Sequence, residues 1–318
     1  MPQYDAAAVN AAIASVGLDL PNQRVVRMDA ERTRTDQAEF KDAAMLQRVQ
    51  RLLTYYCKCG YAGPAAVATG CSLPSPSASA CAAPSGGVST RSASRRVEGV
   101  TYKQGLNEIL AIFLHLGPHV GALDDACIMA LLSAFVARFA PRILASSDEE
   151  FTSLQCCFQL YRLALQYHDP ELSGIFDRSE LTPELYTTPW FLTLFSRANA
   201  ADAVIALWDY LIVASASPGP AFFHSFVVAF IVHHKLAIRN AANSPQLAPE
   251  LPLIVVRLPL PSAEEMRDLC ESAAAMFLDT PLSFRKQVHN VCFSGGKGIT
   301  DGAGTRHFAC VLYRRRLD

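Results

Sequence analysis

The sequence predicts an all-α fold, and three observations lead there. Apolar residues recur at 3-4 spacing in one segment after another. Ser-x-x-Glu capping boxes open two of those segments. Strand signals are confined to two short apolar runs, 253–258 and 308–313, neither with an obvious partner, and the first reads as a buried connector.

The first clear helix covers Phe40–Tyr56, with Leu46, Val49, Leu53 and Tyr56 on one face. Pro64–Val100 then breaks the pattern: of its 37 residues, 16 are Ser, Pro or Gly and eight are Ala. Such a segment cannot bury enough apolar area to offset its ordering entropy, so a disordered internal loop is expected. It need not divide the domain, because closure entropy grows only with the logarithm of loop length. Periodicity resumes in Leu106–Leu116 and in Asp125–Phe139. Ser147-x-x-Glu150 is a capping box, followed by Phe151, Leu154, Phe158, Tyr161 and Leu165 at 3-4-3-4 spacing. His168-Asp169 reads as the end of that helix, stopped by Pro170. Pro189 is expected to set a helix start before Trp190, and Ala200–Ile212 carries Val204, Trp208 and Leu211 on one face. Both tryptophans read as core residues. Phe222–Val232 is apolar nearly all round, which predicts a helix in the middle of the bundle. Ser262-x-x-Glu265 opens a last helix through Met276, with Asp279-Thr280-Pro281 as its stop.

Composition narrows the function classes. The chain has 318 residues, 51% hydrophobic and 18% charged, so a sizeable core is available. A net charge of −1 offers no global attraction to nucleic acid, and no nucleic-acid partner is expected. Ten cysteines show no paired ligand spacing; no metal is expected, and they read as small buried hydrophobes in a reducing compartment. The uncharged stretch 210–234 is broken at Ser217-Pro218-Gly219-Pro220, so no transmembrane segment is expected and a cytoplasmic protein is the reading. His168-Asp169 lacks an accompanying nucleophile motif, His233-His234 lacks a third ligand nearby, and Gly295-Gly296-Lys297-Gly298 is too short for a phosphate loop.

Two short stretches carry candidate chemistry. In Val26-x-x-Asp29-x-x-Arg32, the acid and the base stand three apart and could form a surface ion pair worth well under ~1 kcal/mol. In Thr101-Tyr102-Lys103-Gln104-Gly105, Thr101-x-x-Gln104 fits a capping box, which would spend the Gln104 amide on the backbone. The other reading presents Gln104 outward.

Together these stretches resemble the two signature motifs of the TBC-domain family, the Rab GTPase-activating proteins, in family order. Tyr167–Ser173, Leu181–Phe195 and Ala206–Leu211 are similar to later sections of the same family. The wording of Tyr167–Ser173 is similar to the TBC kinase-like and TBC-rhodanese branch. The resemblance runs from about Asn22 to about Arg285 and implies a multi-helix domain over 22–285, interrupted at 64–100, after a lead at 1–21 and before a tail at 286–318. It implies stimulation of GTP hydrolysis by a Rab-type small GTPase in vesicle trafficking, with Arg32 as an arginine finger and Gln104 as a glutamine finger. Asp29, Tyr102 and Gly105 would support them, Gly105 by letting the partner's backbone come close, and Arg34 and Asn107 would lie at the partner-facing surface. GTP and Mg²⁺ would arrive on the partner, leaving this chain without a cofactor and compatible with peripheral recruitment to endomembranes. The chain departs from the pattern in having Val26 for Ile, Arg34-Thr35-Asp36 after Thr33, and no early R-x-x-x-W helix. The alternative implied by the branch is a non-catalytic adaptor or scaffold.

Overall fold

The structure is a computed structural model that describes residues 5–59, 101–121, 123–145, 150–214 and 221–293. Among these residues it is helical with no strand, as the periodicity predicts. Fourteen α-helices follow in order: α1 (Ala6–Ala14), α2 (Gln23–Arg32), α3 (Ala43–Cys59), α4 (Leu106–Leu116), α5 (Asp125–Phe139), α6 (Thr152–His168), α7 (Pro170–Arg178), α8 (Pro183–Thr193), α9 (Ala201–Ala214), α10 (Phe222–His233), α11 (Lys235–Asn243), α12 (Leu251–Val256), α13 (Met266–Asp279) and α14 (Leu282–Cys292). The expected insertion at 64–100 and Ser147 of the Ser147-x-x-Glu150 capping box lie outside the described residues.

The all-apolar segment becomes α10, in which Phe222, Phe223, Phe226, Val227, Val228, Phe230 and Ile231 are all buried. It packs chiefly on α13 and α6. A helix with no polar face has no stable place at a surface, so α10 occupies the centre. At the amino-terminal end α2 lies on α3, and α4 bridges α3, α5, α8 and α9.

Both tryptophans are core, as expected. Trp190 stacks on Phe195 at 5.4 Å and meets Phe230 edge-on at 5.1 Å. Trp208 lies 4.3 Å from Phe135, and its Nε1–H donates to the Leu194 carbonyl at 2.9 Å. That bond satisfies the buried indole and ties down the turn that ends α8. Pro189, however, sits inside α8, which starts at Pro183. Pro183 is at the first turn, where a missing N–H costs nothing, and so takes the role expected of Pro189.

The Ser262 capping box forms in both directions: Ser262 N–H donates to Glu265 Oε2 at 3.1 Å and Glu265 N–H donates to Ser262 Oγ at 3.3 Å. Helix α6 opens on Phe151 in a left-handed conformation. Within the run read as a buried connector, residues 251–256 form the short helix α12, which buries Leu251 and Val255 and exposes Leu253. Helix α14 carries regular structure beyond residue 286, and it packs on α6. No helix among the described residues is long and apolar enough to cross a membrane.

Candidate functional site

The site is built where α2 ends and α4 begins. Asp29 lies on the inner face of α2, 7% exposed, and its carboxylate accepts two hydrogen bonds from the other motif. The Tyr102 hydroxyl donates to Oδ2 at 2.9 Å, and the Gln104 Nε2–H donates to Oδ1 at 3.2 Å. A buried carboxylate is tolerated only with such partners. Tyr102 is itself 5% exposed, and burial first, then the Asp29 charge, push its hydroxyl far above the usual phenol range. It stays a donor at any ordinary pH.

Asn107 closes the cluster. Its Nδ2–H donates to Thr33 Oγ1 at 3.0 Å and to the Asp29 carbonyl at 3.4 Å, while its Oδ1 accepts from the Gly105 N–H at 3.2 Å. The Thr33 hydroxyl donates to the Asp29 carbonyl at 2.7 Å. One amide thereby fixes the residue after Arg32 and the residue after Gln104. The Asn22 amide adds a bond to the Tyr102 carbonyl at 3.4 Å.

The two candidate fingers sit on the outside of this cluster. Arg32 is the last residue of α2 and is exposed, with no hydrogen bond or ion pair for its side chain among the described residues. The expected Asp29–Arg32 pair is not formed, because Asp29 turns inward to α4 while Arg32 turns to solvent. Gln104 is exposed as well. Helix α4 starts at Leu106, so Thr101 is too far upstream to cap it, and Gln104 donates to Asp29 instead. With Nε2 held there, Gln104 Oε1 has no partner among the described residues.

Gly105 has an internal reason to be glycine. Its φ is +104°, it caps α4, and an added Cβ would stand 3.1 Å from Thr193 Cγ2 and 3.4 Å from the Leu192 carbonyl. The left-handed backbone and the close approach of α8 both exclude a side chain. The approach that matters in this structure is by α8 of the same chain.

Arg34 and Asn107, expected at the partner-facing surface, are corrected: they are only 7% and 5% exposed. Arg34 Nη2 donates to the Ser196 carbonyl at 2.7 Å and Nη1 to the Asn199 carbonyl at 3.2 Å. Its left-handed backbone, φ +42°, turns it inward. Burial lowers its pKa, opposed by nearby Glu108, Asp36 and Glu39. Burial likewise raises the Glu108 carboxyl, opposed by Arg34 and Arg197.

Residues 193–199 are the part of the site that sequence reasoning missed. Three non-glycine residues there, Leu194, Phe195 and Ala198, adopt positive φ. This turn touches Gly105 through Thr193, holds Arg34 through Ser196 and Asn199, and is anchored by Trp208. It braces both loops from beneath. No periodicity marks a turn of this kind, and it lacks the glycine that would signal positive φ.

Among the described residues the rim holds no metal-ligand cluster. The one His/Cys/Asp/Glu group of ligand geometry among the described residues is Cys157, His224 and Cys292, all buried and none of them in the rim.

The family described as Rab-GTPase-TBC domain matches residues 91–238. The stretch that carries the Gln104 motif thus resembles the TBC-domain family. The TBC match contains the Gln104 motif and begins after Arg32. Relatives include the TBC domain-containing protein kinase-like protein of Homo sapiens, 30% identical over 144 residues, 45% of this chain and 15% of that protein. The Dictyostelium discoideum protein of the same description is 26% identical over 184 residues, 57% of this chain and 16% of its own. The mitotic check point protein BUB2 of Saccharomyces cerevisiae is 28% identical over 160 residues, 49% of this chain and 47% of that protein. The chain thus spans about 15% of the length of the kinase-like relatives it matches. Among solved structures, the Ypt/Rab-GAP domain of Gyp1p superposes with a TM-score of 0.56 at 15% identity, over 86% of this chain and 80% of that one. That likeness is one of fold.

Proposed function

We propose that this TBC domain is a GTPase-activating protein for a Rab-type small GTPase, in which Arg32 and Gln104 are offered in trans to a nucleotide bound by the partner. The observation that carries the reading is the pair of bonds from Tyr102 and Gln104 to Asp29, which unites the two motifs beneath an exposed Arg32. Hydrolysis needs an oriented water and cancellation of the charge that develops on the transferred phosphoryl group. A guanidinium is permanently charged and forked to match phosphate oxygens, which suits Arg32. A Gln amide can donate and accept at once. With its Nε2 on Asp29, Gln104 presents Oε1 to accept a hydrogen bond from the attacking water and so orient it. GTP and Mg²⁺ come with the partner, and this chain does not hydrolyse GTP alone. Membrane trafficking is the setting, with recruitment to endomembranes through the partner.

A second reading has its own observation. Gln104 is already engaged by Asp29, as it would be in a closed, vestigial pocket serving a non-catalytic adaptor. Single-turnover hydrolysis across a panel of GTP-loaded Rab proteins, with wild type and Arg32→Ala, separates the two. Acceleration by wild type lost in the variant supports the activator. Partner binding indifferent to nucleotide state and to the substitution supports the adaptor, and acceleration of no Rab removes the first reading.

A further inference from the structure

Three buried side chains far apart in sequence converge in the middle of the bundle. Cys157 lies on α6, His224 on α10 and Cys292 at the end of α14. They are 0%, 5% and 2% exposed. Cys157 Sγ is 3.4 Å from Cys292 Sγ, and Cys292 Sγ is 3.6 Å from His224 Nε2. All three ligand atoms lie within 4.8 Å of one another.

These distances are those of a coordination polyhedron. With Zn–S near ~2.3 Å and Zn–N near ~2.05 Å, a tetrahedral ion sets its S···S edge at about 3.8 Å and its S···N edge at about 3.6 Å. The S···S edge and the Cys292–His224 edge need shifts of a few tenths of an ångström at most, and the third edge, Cys157 to His224, is within 4.8 Å. Without an ion the cluster is poorly satisfied. His224 Nδ1 is buried with no hydrogen-bond partner among the described residues, and Nε2 has only a weak contact with sulfur. Rings of Phe191, Phe223 and Phe293, 5.1, 6.5 and 6.3 Å from the imidazole, surround it with apolar surface.

We propose that Cys157, His224 and Cys292 bind a structural Zn²⁺ ion that fastens α14 to α6 and α10. Binding replaces two S–H bonds by two Zn–S bonds and releases two protons, and the imidazole binds as the neutral base. Two thiolates, one neutral imidazole and one divalent cation sum to zero charge, which an apolar interior requires. Soft thiolate ligands select zinc over the hard divalent cations. The fourth position of the tetrahedron falls to a water molecule. The Cys157 thiol is held well above its usual range by its bond to Cys292 and by burial.

The experiment measures zinc by plasma mass spectrometry in protein purified under reducing conditions without chelator, then titrates chelator-stripped protein with Co²⁺. Wild type is expected to hold about one ion per chain and to develop a thiolate-to-cobalt charge-transfer band, with a rise in melting temperature on adding Zn²⁺. Cys157→Ala and Cys292→Ala should each weaken retention about tenfold or more, while Cys270→Ala, a buried cysteine outside the cluster, should leave it intact. If the variants fail to fold, the wild-type titration still decides. Folded, reduced wild type that takes up neither Zn²⁺ nor Co²⁺, that prefers Cu⁺, or that loses its ion in Cys270→Ala, overturns the proposal.

Discussion

The Gln104 amide donates to the Asp29 carboxylate at 3.2 Å, across 75 positions of sequence. That bond, with the 2.9 Å bond from Tyr102, makes a buried acid on α2 the organiser of the loop that opens α4. Arg32, three residues on from Asp29, is left uncommitted at the surface. Separate consequences follow for the exposed side chains and for those beneath them.

Arg32→Ala and Gln104→Ala should each lower stimulated GTP hydrolysis by about 10³-fold or more if the proposed function holds. Arg32→Lys should recover little, because an ammonium lacks the fork. Arg32→Ala should barely move the melting temperature, since that side chain is exposed and unbonded, whereas Gln104→Ala takes a donor from buried Asp29 and should lower it modestly. Parallel hydrolysis and thermal-melt assays check this.

Asp29→Ala removes a buried acceptor serving two donors. A loss of about 1–3 kcal/mol in urea unfolding is expected, accompanied by loss of activity even with Arg32 and Gln104 in place. Unchanged stability would show that the carboxylate is dispensable to the cluster.

Gly105→Ala meets two obstacles, a φ of +104° and a methyl group at 3.1 Å. The expected cost is about 1–3 kcal/mol. Adding Thr193→Ser removes the methyl group but not the backbone strain, so the double variant should recover only part of the loss in denaturation midpoint.

Arg34→Ala abandons the carbonyls of Ser196 and Asn199 inside the protein. Removing two charge-assisted bonds should cost about 2–4 kcal/mol and raise hydrogen exchange in residues 193–199. Its activity loss should track the unfolding of that turn, in contrast to Arg32→Ala.

His168 has a pKa depressed by burial, partly opposed by Asp279, and its Nε2 pairs with Thr280 Oγ1 at 2.8 Å. The unfolded chain therefore binds a proton at higher pH than the folded one. Stability should fall as pH drops below about 6.5 and level off below the folded pKa. His168→Gln should flatten that slope in melts taken between pH 7.5 and 5.5, a range set by that histidine window of roughly 5–8.

Helix type and much of its placement were legible in the residues. The 3-4 spacing located Leu106–Leu116 and Asp125–Phe139 at the observed ends, and the uniformly apolar Phe222–Val232 announced its central position. These are local properties: a helix face is set by neighbours three and four residues away, and burial follows from having no polar face. The pairing of the Asp29 and Gln104 stretches was reached through resemblance alone, since nothing in either stretch specifies the other.

What the chain alone determined is a bundle of amphipathic helices with a Gln and an Arg in suggestive local settings. Tertiary structure decided which polar atoms meet. It turned Asp29 toward Tyr102 and Gln104, drew Arg34 and Asn107 inside, bent residues 193–199 under both loops, and gathered two cysteines and a histidine 67 and 68 positions apart. Hydrogen bonds and ligand geometry act over about 3 Å of space whatever the separation along the chain, so no spacing rule could have shown them.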